Sequence, residues 1–124
     1  MKFDLVAYDP DAITSYGSYQ LETREIVAHE KEFWNQEKKI ILLPWSYILP
    51  SRYYSRHPER YFWFSPDPPP PYAFVPRLTT SAVLQHAREI AFIDPDSELL
   101  AILSGAKLSI SVRQSGPINI VYAQ

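Results

Sequence analysis

The chain predicts an α+β fold: one small domain with a mostly antiparallel sheet of about four to five strands, packed by two to four helices and finished by a C-terminal β-hairpin. Three observations predict it. Apolar residues alternate at period two at Phe3, Leu5 and Ala7, and again at Leu108, Ile110 and Val112 and at Ile118, Ile120 and Tyr122. Helix-period stripes occupy the stretches between. Two further strand-like runs, residues 39–43 and 61–64, follow one another without a clear helical pattern, which implies antiparallel pairing. A length of 124 residues favours a single domain over 1–124, large enough for a core without metals or disulfides.

Each element has a local reason. Residues 2–8 alternate as a strand, and Asp9-Pro10-Asp11 stops it. Asp as N-cap with Pro at the first helical position opens a helix, here a short one reaching Tyr16 before Gly17. Over residues 21–36 the pairs Ile26/Phe33 and Val27/Trp34 are each seven apart, which favours a helix with Glu22, Glu25, Glu30 and Glu32 outside; Glu22–Glu25 also suits a strand. Residues 39–43 form an apolar run ending at Pro44, read as a buried central strand, and Tyr61–Phe64 an aromatic one. Residues 67–71 read as a Pro-rich connector in polyproline II.

Thr79, Thr80 or Ser81 is placed to cap a helix with Val83, Leu84, Ala87, Ile90 and Ala91 along one stripe. Asp94-Pro95-Asp96 repeats the cap-and-proline device and opens a helix that Gly105 ends. Shared capping chemistry, rather than a duplicated half, explains the two Asp-Pro-Asp segments. The final hairpin turns near residues 114–117, giving the order β-α-α-β-β-α-α-β-β.

The net charge of −2 conceals a segregation. Residues 1–37 hold three positive and eight negative groups, whereas residues 38–64 hold five positive and one negative. Either these thirds neutralise each other in the fold, or the basic third meets an external anion or acidic surface. With no Cys, thiolate and disulfide chemistry are excluded. Asp4 and Asp9 interrupt any apolar leader, and no run approaches the length of a bilayer span, so a cytoplasmic protein without membrane association is expected.

The most distinctive stretch is residues 52–64, where cationic groups alternate with aromatic rings. Arg52, Tyr53, Tyr54, Arg56, His57, Arg60, Tyr61 and Trp63 are the candidate partner-binding residues. Tyr, Trp and Arg dominate the energetics of protein recognition. The same pattern suits stacked single-stranded bases with guanidinium groups on phosphates. A third reading makes Phe62, Phe64 and Trp45 core, with arginine stems covering them. Pro58 disfavours helix at His57, so Arg52, Arg56 and Arg60 do not share one helical face throughout.

Other motifs are slighter. Pro69-Pro70-Pro71-Tyr72 resembles the Pro-Pro-x-Tyr ligands of WW domains, which implies a WW partner and no fold. Glu37-Lys38-Lys39, with Asp11 upstream, resembles the Glu-x-Lys element of metal-dependent nucleases. His29, His57 and His86 lack metal-ligand spacing, and His86 with Glu89 suits an i,i+3 hydrogen bond. No nucleophile elbow or Gly-rich phosphate loop is present. The expectation is therefore a non-catalytic protein-binding domain without cofactor or metal: an inhibitor, an immunity or accessory factor, or a subunit of a larger assembly, of a kind suited to phage or bacterial conflict. Single-stranded nucleic-acid binding is the alternative, and a metal-dependent nuclease the second. The terminal hairpin offers an edge for homodimer formation.

Overall fold

The apolar run after Lys39 is where the sheet is organised. Ile40–Leu43 (β1) is buried from Ile41 onward and lies between two parallel neighbours, the position that a continuous aliphatic run suits. The computed structural model describes residues 21–65 and 77–124. The expected strand over 2–8, the first Asp-Pro-Asp, the Pro-rich stretch with its Pro-Pro-x-Tyr pattern, and Asp11 lie outside them.

Residues 21–28 are helical and lead through His29 into α1 (Glu30–Asn35), as the spacing of Ile26 and Phe33 predicts; both are fully buried. Glu37 closes α1 in the left-handed region (φ 61), with the Lys38 N–H returning 2.8 Å to the Phe33 carbonyl. After β1 comes α2 (Trp45–Tyr54), then a 3₁₀ turn (Pro58–Arg60) and β2 (Tyr61–Phe64). The short β3 (Arg77–Leu78) precedes α3 (Thr80–His86), whose Thr79 cap accepts the Ala82 N–H at 3.3 Å. A 3₁₀ turn (Ala87–Glu89) feeds β4 (Ile90–Ile93), buried at every residue. Asp96 caps α4 (Ser97–Gly105) by accepting the Leu99 N–H at 2.9 Å. The hairpin is β5 (Ile110–Ser115) and β6 (Ile118–Ala123).

These strands form one sheet in the order β3-β2-β1-β4-β6-β5. The fold is α+β with the expected C-terminal hairpin, but the sheet is mixed and six-stranded rather than mostly antiparallel and four- to five-stranded. Strands β1 to β4 are parallel; only the hairpin is antiparallel, β6 against β4 and β5 against β6. Two elements account for the correction. The segment between β1 and β2 is helical, so α2 carries the chain back and lets β2 pair in parallel. And Ile90 and Ala91, expected on a helical stripe with Val83, belong to a central strand, since α3 stops at His86.

The two faces of the sheet hold separate cores. Ile41, Leu43, Tyr61 and Ile93 pack under Ile26, Phe33 and the α2 residue Ile48. Leu42, Ile90, Phe92 and Val121 pack under Val83 of α3 and Leu99 and Leu103 of α4. Helices thus cover both faces, with α2 and α4 on opposite sides.

The hairpin turn needs its glycine. Gly116 has φ 57, and a Cβ there would meet the Glu25 carboxyl at 3.2 Å. With Pro117 second, the two residues fit a type II′ loop between the paired Ser115 and Ile118. At the end of α4, in contrast, Gly105 is still helical and Lys107 takes the left-handed conformation (φ 60). β5 is an edge strand with Val112 64% exposed, the edge expected to be open to a second copy.

Glu32 ties α1 to the hairpin: its carboxylate accepts from Arg113 and, at 3.0 Å, from the Tyr122 hydroxyl. The Arg113 hydrogen bond is the main reason its carboxyl is held below the ordinary value of 4.5, burial opposing. A carboxyl depressed by folding contributes stability above its unfolded value and loses it as the pH falls through the folded one. Glu32→Gln is expected to cost about 1 kcal/mol at neutral pH. In urea titrations the gap between wild type and variant should close below pH 4.5; a gap unchanged in acid would contradict this role.

Candidate functional site

The aromatic and basic stretch does not form one surface; the strand alternation and the end of α2 divide it. α2 ends at Tyr54 because Ser55 is extended (φ −80, ψ 149). The Ser55 hydroxyl accepts the His57 N–H at 2.8 Å and donates to the Glu30 carboxylate, which fixes the loop to α1. Arg52, in the last turn of α2, donates Nη1 to the Tyr61 carbonyl at 3.2 Å, so it secures β2. The helix end also prevents Arg52, Arg56 and Arg60 from sharing a helical face, as Pro58 predicts.

Tyr61 is a correction to the candidate set. It is fully buried in the core under α1 and α2, and its hydroxyl donates to Glu30. The side chain points inward because its register partner is Ile41, at the centre of that core. Trp63 shares the face of Tyr61 but sits toward the carboxyl end of β2, its ring edge-on to Trp45 at 4.7 Å.

What remains together lies at the amino end of the parallel strands. Arg60 places its guanidinium 4.7 Å from the centre of the Trp34 ring and donates Nη1 to the Lys39 carbonyl at 3.3 Å. His57 meets the same indole edge-on at 5.8 Å. Trp34 is thus held between an imidazole and a guanidinium, with exposed Lys39 lining the same hollow; Arg56, next to His57 in sequence, is exposed as well. Tyr53, 45% exposed, and Tyr54 pack edge-to-face at 5.2 Å at the adjoining end of α2. Trp34, Glu37, Lys38, Lys39 and Arg60 line a shallow hollow of about 380 Å³. Glu59 supplies the nearby carboxylate, 3.9 Å from both His57 and Arg60.

Sequence reasoning missed Trp34 as a member of this corner. Its spacing from Val27 marked it only as a helix-face residue, and no local signal joins it to Arg60. Lys38, beside the hollow, is turned inward: its ammonium donates to the Arg88 carbonyl at 2.6 Å and lies 5.2 Å from the Tyr122 ring centre. Burial pushes that ammonium below its ordinary 10.5, and Glu37 opposes the shift. Glu37 itself closes α1 before the strand begins, while the Lys39 N–H goes to the Glu89 carbonyl at 2.8 Å. The nuclease-like pair therefore flanks a helix end.

A second constellation joins residues far apart in sequence. Ser115 Oγ lies 2.9 Å from both His29 Nε2 and Glu25 Oε2, and His29 Nδ1 lies 2.8 Å from the Glu25 carbonyl. The serine hydroxyl is held between carboxylate and imidazole, and the three pin the hairpin turn to residues 21–28. His86 and Glu89 make the i,i+3 contact at 3.3 Å that their spacing predicts.

Among the described residues no group of three or more His, Cys, Asp or Glu is placed to hold a metal ion, and no helix is long and apolar enough to cross a membrane. Fold and corner together define a class only: a mixed six-stranded sheet with helices on both faces and a basic-aromatic corner at the amino end of its parallel strands. No family model, curated protein or solved structure matches the chain.

Proposed function

We propose that the chain is a non-catalytic protein-binding domain that receives an acidic partner surface at the corner formed by Trp34, Arg56, His57 and Arg60, with Tyr53 and Tyr54 at its margin. Such a domain serves as an inhibitor, an immunity or accessory factor, or a subunit of a larger assembly. The observation that carries the reading is the Arg60 guanidinium over the Trp34 ring, 39% exposed and beside the exposed Lys39, with Arg56 exposed in the adjoining loop. A flat cation fixed on an aromatic face keeps its outer edge for a carboxylate and loses little rotamer freedom on binding. Tyr and Arg at such a corner are the residue types that dominate binding energy.

The test is affinity capture from the native source, followed by calorimetric titration of the captured partner. Arg60→Ala and Arg56→Ala should each weaken that complex by about 2 kcal/mol or more while leaving thermal unfolding nearly unchanged. Undiminished affinity in both variants would remove the proposal. The same corner has the chemistry to stack single-stranded bases. Oligonucleotide binding that collapses with added salt, and disappears in Arg60→Ala, would replace the protein partner with a nucleic acid.

A further inference from the structure

A second site is suggested at the other end of the sheet. β1 and β4 are adjacent and parallel, yet the chain leaves them in opposite directions. From β1 it passes through α2, over one face, to β2; from β4 it passes through α4, over the other face, toward the hairpin. In sheets wound this way the departing connections part outside the carboxyl ends of the strands, and ligands bind in the crevice between them. A cleft of about 250 Å³ opens at that point.

Its walls specify a chemistry. Trp45, at the first turn of α2 and 48% exposed, and Trp63, at the end of β2, present two indoles at 60° to each other. Phe64 and Leu99 add apolar surface. Among the described residues the charged lining groups are Asp94 and Asp96, with no basic side chain beside them. Asp94 takes the left-handed conformation (φ 43) directly after β4; one oxygen accepts the Asn119 N–H at 2.7 Å and the other the Tyr47 hydroxyl at 3.1 Å. That hydroxyl also lies 3.0 Å from Glu22, outside the cleft lining. The amino end of α4 does not favour an anion here, because the Asp96 carboxylate already occupies its cap.

We propose that this cleft binds a small organic cation, of the quaternary or alkylammonium class, against the paired Trp45 and Trp63 rings, with Asp94 and Asp96 supplying the counter-charge. Indole faces attract a compact cation through the ring quadrupole, and carboxylates at the rim add Coulomb attraction without dehydrating the cation fully. The volume fits a ligand of a few heavy atoms rather than a nucleotide. The site is separate from the Trp34 corner and stands or falls independently of it.

The experiment titrates the full chain with choline, and in parallel with its neutral isostere carrying carbon in place of the quaternary nitrogen. Indole N–H and backbone resonances are followed by NMR. Saturable shifts are expected at Trp45, Trp63 and Asp94–Leu99, with the isostere at least about tenfold weaker. Asp96→Asn and Asp94→Asn keep an oxygen for the cap and tolerate the left-handed backbone, so they remove charge while preserving the fold. The double variant should weaken choline about tenfold, and Trp45→Leu, at an exposed position, should do the same. Arg60→Ala should change nothing. Shifts that never saturate, equal binding of the neutral isostere, or full affinity in Trp45→Leu would each overturn the site.

Discussion

Replacing Tyr61 by alanine is expected to lower the stability of the domain by about 3–5 kcal/mol, the range for truncating a large buried ring. Tyr61 is fully excluded from solvent on β2, packed in the core that holds Ile41, Phe33 and Ile48, and its hydroxyl donates to Glu30. Alanine leaves a cavity and also removes one of the two hydroxyl donors on that carboxylate, the other being Ser55. Tyr61→Phe separates the effects: it keeps the ring and should cost about 1–2 kcal/mol. Arg56→Ala, at an exposed position in the same stretch, should stay within about 0.5 kcal/mol. Urea unfolding with a constant m-value measures all three. A loss below about 1 kcal/mol for Tyr61→Ala would mean that this ring is not interior, and the division of the stretch into core and corner would fail.

Alkaline unfolding is the second large effect expected. Among the described residues, three tyrosine hydroxyls lie against carboxylates: Tyr47 within reach of Glu22 and Asp94, Tyr61 donating to Glu30, and Tyr122 donating to Glu32. Burial, then the carboxylate partner, pushes all three well above the ordinary 10.0. In the folded chain these protons are held, whereas the unfolded chain releases them near pH 10. The stabilisation is therefore complete below that value and is lost as the pH rises above it. A proton held in full contributes a slope of about 1.4 kcal/mol per pH unit, which the buried Tyr61 approaches, while solvent reduces the share of the half-buried Tyr47 and Tyr122. Against a typical total of 5–15 kcal/mol, such slopes lower stability progressively above pH 10 and end in cooperative unfolding. Lys38 acts in the opposite sense and only below 10.5, where loss of its buried charge slightly favours the fold. Circular dichroism and tyrosinate absorbance, recorded together, should show part of the tyrosine signal arriving with the loss of structure. Tyr61→Phe should reduce the slope more than Tyr122→Phe does. Complete tyrosine titration near pH 10 with the fold intact would refute the coupling.

How far the sequence carried the reading differs by element. Residues 21–36, the helix after Asp94-Pro95-Asp96 and the hairpin were legible, because each buries one face and its apolar period survives in the sequence; the cap, expected at Asp94 with Pro95 first in the helix, is Asp96 instead. α2 was not. It has Pro44 before it and Pro50 inside it, and few of its side chains are buried beyond Ile48 and Ser51, so no apolar stripe marks it as helical. β4 carries no strand signal of its own, because a strand covered on both faces does not alternate, and Ile90 and Ala91 continue the spacing of Val83 and Ala87. Missing those two elements turned a parallel arrangement into an antiparallel one. In the candidate site, residue types were legible and directions were not. Arg60, Tyr61 and Trp63 are near neighbours in sequence, yet they lie at the corner, in the core and at the cleft.

The sequence by itself determined the α+β class, the helix that follows Asp94-Pro95-Asp96, the terminal hairpin and a concentration of cations and rings in residues 38–64. Local periodicity and capping are short-range effects, and the residues that produce them lie within a few positions of one another. Only the tertiary structure decided that four strands run parallel, that Tyr61 is interior, that Trp34 completes the corner with Arg60, and that Trp45 and Trp63 face Asp94 and Asp96. Those pairings join residues distant along the chain. They follow from which helix covers which face of the sheet, a choice made by burying apolar area across the whole domain and written in no single segment.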